Sequence, residues 1–278
     1  MSNNIFFERG QMADKPNNYL WNGDCIELMK DIPDKSMDAI ICDLPYGTTS
    51  IKWDSIIPFD LLWCEYNRII KDNGAIVLFG AEPFSSALRM SNIKIYKYDW
   101  YWHKNLPSNF QNAKRQPMRG IETISVFYKK QPTYNPIMRE TNVKDRKVID
   151  GRKRSNGYNK ESDHMLGVKK QEIKERKMVY PETRLYFKVV PRSKGYLHPT
   201  QKPLELLKYL VKTYTNENDW VLDNTCGSNT TGIACYDLNR NYIGIEKDID
   251  IYNVAKKRVE KNILLRANKP KTLFDYKP

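Results

Sequence analysis

The sequence predicts an α/β fold with a mainly parallel sheet and helices on both faces of that sheet. The first observation is that short apolar runs alternate with stretches of helical period in 19–130 and again in 195–278, which is typical of such sheets. The second is that acidic residues directly follow three of the apolar runs, at the strand ends where open α/β sheets bind ligands. The third is that residues 131–194 have few apolar side chains and no clear period, which predicts an inserted region.

The predicted elements of the first half are short apolar runs separated by stretches of helical period. A short strand that ends in a turn is predicted at 19–25. Further strands are predicted at 39–42, 75–79, 99–102 and 123–128. Helices are predicted at 26–30, 59–70 and 83–91, and Pro33 closes the first of them. Residues 1–18 are polar with little period, so we expect a loosely held N-terminal arm.

Helix start signals define the second half of the chain. Pro203 is a favourable first-turn residue for a helix with one apolar face. Asp248 is a good N-cap for a final amphipathic helix. Between these two helices the pattern predicts strands at 221–222 and 242–245, with a helix at 230–238.

The composition predicts a globular protein of a reducing compartment. A chain of 278 residues with 40% hydrophobic content can bury one core together with an inserted lobe. No apolar run approaches the roughly 18 residues of a membrane span, and the N-terminus lacks the pattern of a secretory signal. The five cysteines are single and the three histidines show no ligand spacing. We therefore expect no metal, no disulfide framework and a cytoplasmic location.

The charge is strongly basic and unevenly distributed. The net charge is +13, and residues 129–177 alone carry 15 Lys or Arg against 7 Asp or Glu. A concentrated basic excess favours a polyanionic partner such as a nucleic acid. The alternative is a solvated, lysine-rich surface without a specific partner.

A strand, a turn with glycine, a helix and a second strand suggest a nucleoside-type cofactor. Asp223 and Glu246 each end one of two apolar runs, and Gly227 and Ser228 lie in the turn between them. The glycine allows close approach of the backbone, the helix offers its N-terminal N–H groups, and an acidic residue at the second strand end can accept both ribose hydroxyls. The alternative is a structural turn with an acidic helix cap at Glu246.

The sequence Asp43-Leu44-Pro45-Tyr46 follows the apolar run that ends at Cys42. An aromatic exocyclic amine is a poor nucleophile, since its lone pair is delocalised. The Asp43 carboxylate and the Leu44 carbonyl can each accept one N–H and orient that lone pair, while Tyr46 stacks on a base that has left its duplex. The alternative is a simple β-turn with proline at a favoured position.

Together these motifs resemble the β class of amino-directed DNA methyltransferases, in which the catalytic half precedes the cofactor-binding half. Residues 22–25 resemble the family segment that contacts the cofactor adenine, and 75–80 resemble the strand after the catalytic motif. Residues 119–124 are similar to the segment before the target-recognition region. The sequence His-Pro-Thr-Gln-Lys-Pro at 198–203 is similar to the cofactor-clamping motif.

The resemblance covers 19–130 and 180–265 and implies a Rossmann-like methyltransferase sheet with an inserted target-recognition region. It implies S-adenosylmethionine as the cofactor and double-stranded DNA as the partner. The implied organisation is an N-terminal arm at 1–18, a catalytic half at 19–130, a target-recognition insert at 131–194 and a cofactor-binding half at 195–278.

The resemblance also implies the site residues. The catalytic residues are Asp43, Leu44, Pro45 and Tyr46. The cofactor-binding residues are Asp24, Cys25, Asp43, His198, Thr200, Gln201, Lys202, Asp223, Thr225, Gly227, Ser228, Asn229, Thr230 and Glu246. In the insert, side chains able to read base edges are Arg152, Arg154, Asn156 and Asn159.

Two implied roles have structural alternatives. Lys202 can pair with the cofactor carboxylate, or it can be an ordinary exposed lysine at a helix start. Phe84 can line the base pocket, or it can belong to the core.

The chain departs from the family pattern at Leu44, where the first proline is usual, at Asn229, where glycine is usual, and at Gly120, where histidine is frequent. Leucine leaves φ free where proline fixes it. Asparagine is the best substitute for glycine where φ is positive. These departures motivate one alternative, a nucleic-acid-binding relative without activity.

The motif leaves open which base accepts the methyl group. An aspartate as the first residue of the motif favours adenine N6. Methylation of cytosine N4, or of adenine in RNA, remains an alternative. A homodimer and a cognate restriction enzyme are also compatible with the family.

Overall fold

The computed structural model describes residues 17–47, 54–140, 178–191 and 201–267, with side chains up to residue 262. Its strands are β1 (Asn18–Asn22), β2 (Met37–Cys42), β3 (Ile70–Gly80), β4 (Tyr96–Ser108), β5 (Arg119–Phe127), β6 (Arg139–Glu140), β7 (Met178–Val179), β8 (Arg184–Phe187), β9 (Trp220–Asp223) and β10 (Asn241–Glu246). Its α-helices are α1 (Cys25–Met29), α2 (Phe59–Ile69), α3 (Phe84–Ser91), α4 (Leu204–Tyr214), α5 (Thr230–Asp237) and α6 (Ile249–Ala267). Within these ranges, none of the helices has the length and apolar content needed to cross a membrane.

Eight strands form one sheet in the order β1-β10-β9-β2-β3-β5-β4-β8. Neighbouring strands are parallel except for β3 with β5 and β5 with β4. The prediction of a mainly parallel sheet is therefore confirmed. Every predicted strand and helix has its counterpart, although β3 and β5 begin earlier than the apolar runs that predicted them.

Helices cover both faces of the sheet, as predicted. The strand β2 shows why: Ile40 packs into one apolar cluster, while its neighbours Ala39 and Ile41 pack into the other. The first cluster contains the apolar sides of α1, α2 and α3, and the second contains those of α4 and α5. Because alternate side chains of a strand point to opposite faces, a continuous apolar run is the pattern that a doubly covered strand requires. Each fully buried Ile or Leu contributes about 1.5–3 kcal/mol.

The strand order changes direction between β9 and β2. The helix α5, which follows β9, packs into one cluster, and α2, which follows β2, packs into the other. The two connections therefore leave the sheet toward opposite faces, and this arrangement opens a crevice at the carboxyl ends of the two strands. Open α/β sheets bind their ligands at such switch points.

The predicted insert at 131–194 includes a strand of the main sheet. β8 pairs in parallel with β4, and its buried Leu185 lies between the exposed Arg184 and Tyr186. An alternation of only four residues is too short to stand out in a basic stretch of sequence.

The contacts within the chain separate two compact units, Met1–Asn135 with Thr183–Pro278, and Pro136–Glu182. In the described part of the second unit, β6 and β7 form a two-stranded antiparallel sheet, and Arg139 pairs with Glu182. The assignment of the insert to target recognition remains a prediction.

Candidate active site

The carboxyl ends of β2, β9 and β10 bring three acidic residues to one edge of the sheet. Asp43 follows β2, Asp223 ends β9 and Glu246 ends β10. These strands are consecutive neighbours and parallel. The sequence predicted this convergence because each carboxylate follows an apolar run.

Direct contacts join the loop after β2 to the loop after β9. The Thr225 hydroxyl donates a hydrogen bond to the Asp43 carbonyl at 3.1 Å. Beneath the loops, the Asn224 Oδ1 accepts hydrogen bonds from the Tyr66 hydroxyl at 2.6 Å and from the Cys42 thiol at 2.9 Å. The two loops therefore lie on the same side of the sheet edge and share a buried polar floor. Sequence reasoning missed this floor, and the only signal was a polar residue directly after Asp223.

The loop after β2, here called the acceptor loop (residues 43–47), holds its carboxylate tightly. The Tyr46 hydroxyl donates to Asp43 Oδ1 at 2.6 Å. The ring of Tyr46 stacks on Phe84 with centroids 5.1 Å apart, and Phe84 is buried. Burial first, and then the Asp43 charge, raise the pKa of Tyr46, so this hydroxyl stays a hydrogen-bond donor. Phe84 therefore belongs to the core, and its ring supports the ring of Tyr46.

Packing of the Leu44 side chain compensates for the missing proline of the family motif. Leu44 is 4% exposed and belongs to the apolar cluster of α1, α2 and α3. Burial of this side chain restrains the turn where the proline of the family would have fixed φ. Gly120, the third departure, has only open space around the position that a side chain would occupy.

A chain of alternating charges leads from the sheet to Asp43. Lys202 Nζ lies 2.6 Å from Asp43 Oδ2 and 3.3 Å from Glu122 Oε2. On its other side Glu122 accepts a hydrogen bond from Lys104 Nζ at 2.9 Å. The side chains of Lys202 and Glu122 are only 10% and 16% exposed.

In this chain of charges, the neighbouring opposite charges shift the pKa values more than burial does. Burial alone would lower the pKa of Lys202, but Asp43 and Glu122 raise it. Burial alone would raise the pKa of Glu122, but Lys202 and Lys104 lower it. Both groups are therefore ionised. Lys202, a predicted cofactor ligand, is here a partner of the acceptor loop, and Glu122 received no role from the sequence.

The loop between β9 and α5, here called the donor loop (residues 224–229), is shaped by left-handed backbone. Gly227 has φ +53° and Asn229 has φ +61° and ψ +43°. Asparagine tolerates this region better than other residues with a Cβ, so Asn229 can adopt a conformation that glycine adopts without strain. Its side chain is buried, and its Oδ1 accepts no hydrogen bond within the described residues.

The carboxylates around the donor loop have backbone partners. Asp223 accepts a hydrogen bond from the Thr225 N–H at 3.2 Å, and burial raises the pKa of Asp223 to about 7. Glu246 accepts the N–H groups of Gly227 at 3.0 Å and Asp248 at 2.8 Å, and burial raises its pKa above the ordinary value. Neither carboxylate forms an ion pair with a Lys or Arg of the described residues.

Arg258 of α6 supports the donor loop from behind. Its Nη1 donates to the Ser228 carbonyl at 2.7 Å, to the Ser228 hydroxyl at 3.0 Å and to the Thr230 hydroxyl at 2.9 Å. Burial lowers the pKa of Arg258 to about 10. No pattern in the sequence predicts this contact, which joins residues about thirty positions apart.

The segment after β1 lies beside Glu246. The Gly23 N–H donates to the Glu246 carbonyl at 3.0 Å. Asp24 caps α1 through the Ile26 N–H at 3.0 Å and pairs with the exposed Lys247 at 3.0 Å. Cys25 is buried at the start of this helix.

The remaining predicted site residues divide into two groups. Pro45 is part of the acceptor loop, and Gln201 directly precedes Lys202. The others lie outside the described residues, namely His198, Thr200, Arg152, Arg154, Asn156 and Asn159.

Sequence comparison supports a single family. The family model described as DNA methylase, for N6 and N4 methyltransferases, matches residues 37–257. The Type II methyltransferase M2.MboI of Moraxella bovis is 29% identical over 272 residues, which cover 88% of this chain and 89% of the relative. The Type II methyltransferase M.HinfI of Haemophilus influenzae is 27% identical over 280 residues, which cover 87% of this chain and 68% of the relative.

Solved structures agree with this result. The M1.HpyAVI–SAM complex superposes with a TM-score of 0.60 at 25% identity, covering 87% of this chain and 98% of that one. The cytosine-N4-specific PvuII DNA methyltransferase gives a TM-score of 0.62 at 16% identity, with 95% and 99% covered, and this likeness concerns the fold alone. The family model matches most of the chain, and the sheet is the one that such a match leads us to expect. The chain therefore belongs to the DNA methylase family.

Proposed function

We propose that this chain is a site-specific DNA methyltransferase that transfers a methyl group from S-adenosylmethionine to adenine N6 in double-stranded DNA. The observation that carries the proposal is that the acceptor and donor loops contact each other at one edge of the sheet. The Thr225 hydroxyl bonds to the Asp43 carbonyl, and the Asn224 amide holds both strand ends from below. The Type II methyltransferase relatives support DNA as the substrate.

The donor loop fits a cationic cofactor. Asp223 and Glu246 are largely buried carboxyl groups whose pKa burial raises, and neither has an ion-pair partner among the described residues. An anion removed from water needs a compensating charge, and S-adenosylmethionine carries a sulfonium and an ammonium group. The space around the Cβ position of Gly227 is open to at least 4 Å. The M1.HpyAVI structure, solved with this cofactor, supports the same assignment.

We assign the cofactor contacts residue by residue, as the family pattern implies. Glu246 would take the ribose hydroxyls, since each carboxylate oxygen keeps a lone pair beyond its backbone bond. Asp24 and Cys25 would face the adenine ring. The donor loop and its flanks would hold the methionine part through Asp223, Thr225, Gly227, Ser228, Asn229 and Thr230. His198, Thr200 and Gln201 complete the proposed set, from which we leave out Asp43 and Lys202, two of the residues that the resemblance implied, because they contact each other on the acceptor side.

The acceptor loop would activate the amine. When bound, the cofactor would supply a methyl group on a positively charged sulfur that leaves as a neutral thioether, and the methylated nitrogen would release one proton to solvent or to the Asp43 carboxylate. Asp43 would accept one N–H of the base and the Leu44 carbonyl the other, which orients the nitrogen lone pair. Asp43 Oδ1 and Oδ2 each already accept one bond and each retains a second lone pair. Tyr46, stacked on Phe84, would offer its other side to the base, and Pro45 would hold the turn between them.

Adenine is the preferred acceptor in this proposal because an aspartate begins the catalytic motif. The fold does not distinguish the bases, since the PvuII methyltransferase of similar fold is cytosine-N4-specific. The base would be extruded from its duplex to reach the acceptor loop.

The proposed DNA contacts lie in the insert at 131–194. Lys and Arg side chains there would bind phosphates, and Arg152, Arg154, Asn156 and Asn159 would read base edges. A cognate restriction enzyme follows from the Type II names of the relatives. This partner, a homodimer and a cytoplasmic location remain predictions.

Nucleoside analysis after methylation tests the proposal. Duplex DNA and, in a parallel reaction, RNA are each incubated with the protein and S-adenosylmethionine labelled with deuterium in its methyl group, then digested and analysed by mass spectrometry. We expect labelled N6-methyldeoxyadenosine. Label in N4-methyldeoxycytidine would overturn the choice of base but keep the reaction, label only in RNA would change the substrate, and no label in any nucleoside would refute the proposed activity.

A further inference from the structure

The ammonium of Lys202 binds the acceptor carboxylate directly. Its Nζ lies 2.6 Å from Asp43 Oδ2, while the Tyr46 hydroxyl binds Oδ1 at the same distance. Two donors on two different oxygens fix the carboxylate plane, which a single bond would leave free to rotate. A catalytic group needs such support when it acts by orientation.

Lys202 also forms an ion pair with a carboxylate of the sheet. Glu122 Oε2 lies 3.3 Å from Nζ, and Oε1 of the same carboxylate accepts the Lys104 ammonium. Glu122 belongs to β5 and Lys104 to the neighbouring β4. The acceptor loop is thus tied to two rigid strands through Lys202.

Every described contact of the Lys202 ammonium belongs to the acceptor side. In addition to the two carboxylates, Nζ lies 5.8 Å from the ring centre of Tyr46 and 5.1 Å from that of Phe79, which is part of β3. No residue of the donor loop is among these contacts. This placement differs from the cofactor clamp that the family motif implies.

Stability alone does not account for this group of charges. Desolvation of buried ions offsets much of the attraction between them, and apolar side chains of similar size often serve as well. Lys202, Glu122 and Lys104 are all removed from water except for small fractions of their side chains. A costly arrangement that ends on one carboxylate at the sheet edge points to a role at that carboxylate.

We propose that Lys202, held by Glu122, is a positioning residue that fixes the Asp43 carboxylate for the acceptor amine, and that it does not bind the cofactor. This inference rests on the proposed function of Asp43. Lys202→Met keeps the length of the side chain and removes its charge. Glu122→Gln keeps the shape of the side chain and removes the anchor of Lys202.

The test separates methyl transfer from cofactor binding. The turnover number is measured by transfer of labelled methyl to saturating duplex DNA, and the Kd of S-adenosylmethionine is measured by calorimetry. We expect Lys202→Met to lower the turnover number by about 10²-fold and Glu122→Gln by about tenfold, with Kd changed by less than about twofold. The double variant should be no slower than Lys202→Met, because Glu122 acts through Lys202.

Lys208 provides a matched control. Its Nζ lies 2.8 Å from Asp237 and 3.3 Å from Glu205, so it also bridges two carboxylates. Lys208→Met should leave the turnover number unchanged. Thermal unfolding of each variant confirms that it is folded, and the isosteric Glu122→Gln carries the test if Lys202→Met does not fold.

Three results would overturn the inference. The first is a weaker Kd in Lys202→Met with a normal turnover number, which would place Lys202 at the cofactor. The second is normal kinetics in both folded variants, which would make the charges purely structural. The third is a wild-type protein that transfers no methyl, which would refute the proposed function and this inference with it.

Discussion

The acceptor loop and the donor loop lie at one sheet edge, but they are held in different ways. The Asp43 carboxylate has a cation 2.6 Å away and a hydroxyl at the same distance. Asp223 and Glu246 have backbone N–H partners, and no Lys or Arg of the described residues pairs with them. The carboxylate of the acceptor loop is therefore paired with a cation, whereas the two carboxyl groups beside the donor loop have no Lys or Arg partner among the described residues.

This difference matches what each loop is proposed to bind. A neutral base requires a fixed acceptor geometry, which ion pairs and a stacked ring provide. A cationic cofactor requires an uncompensated negative charge, and burial keeps that charge poorly solvated until the cofactor binds. The backbone of the donor loop is shaped by positive φ at Gly227 and Asn229, so its form does not depend on ion pairs.

Removal of the acceptor carboxylate should have the largest effect. Asp43→Ala should reduce methyl transfer by at least about 10³-fold, since it removes the carboxylate proposed to accept the amine N–H. The Kd of S-adenosylmethionine should change little, and calorimetry measures it. The control is Asp72→Asn, which breaks an exposed ion pair with Lys35 elsewhere. Transfer that survives Asp43→Ala would remove the proposed role of the acceptor loop.

Loss of Arg258 should weaken the donor loop alone. Arg258→Met removes three hydrogen bonds to Ser228 and Thr230, so the Kd of S-adenosylmethionine should rise by about tenfold, equivalent to about 1.4 kcal/mol. Arg68→Met is the control. Arg68 donates hydrogen bonds of 2.7 Å to the carbonyls of Met29 and Ile32, and these contacts lie outside both loops. The account is contradicted if both variants weaken cofactor binding equally.

The ionisation of Asp223 should make cofactor binding depend on pH. Its pKa of about 7 means that the ionised fraction rises as the pH increases through neutrality. A cation binds the ionised form, so affinity should increase several-fold between about pH 6 and pH 8.

Asp223→Asn is the comparison for this pH dependence, measured by calorimetry in the same buffers. It cannot ionise and should show a flatter profile, while titration of the cofactor itself contributes equally to both proteins. Parallel profiles for the two proteins would show that Asp223 does not respond to the cofactor charge.

The smallest effect is expected at the departure from the family glycine. Asn229→Gly should leave the Kd of S-adenosylmethionine within about twofold, because asparagine already adopts φ +61°. Asn229→Ala should lower stability by about 1–2 kcal/mol in denaturant unfolding, since alanine has no polar group to support this conformation. A tenfold gain of affinity in Asn229→Gly would show that the side chain obstructs the cofactor.

The sequence allowed prediction of the parts of the site that depend on local pattern. Asp43, Asp223 and Glu246 follow apolar runs, and a parallel sheet places such strand ends together. The positive φ of Asn229 was not predicted, but it is compatible with the sequence because asparagine and glycine tolerate this region best. These predictions need only the order of strands and turns.

The parts that escaped prediction depend on contacts between distant residues. Lys202 reaches Asp43 across 159 positions, and Tyr66 reaches Asn224 across 158. Glu122 is an acidic residue within β5, and acidic residues are ordinarily exposed to solvent. The pattern of residues along one chain contains no information on which charges meet when the strands β5, β4 and β2 assemble.

A crystal structure with a non-transferable cofactor analogue and a duplex containing an adenine target tests the central claim most directly. The account predicts that the analogue lies along the donor loop, and that the adenine amine lies between Asp43 and the Leu44 carbonyl. The amine nitrogen should then be about 3–3.5 Å from the position of the transferable carbon. An analogue bound away from the donor loop, or an adenine amine out of reach of Asp43, would contradict it.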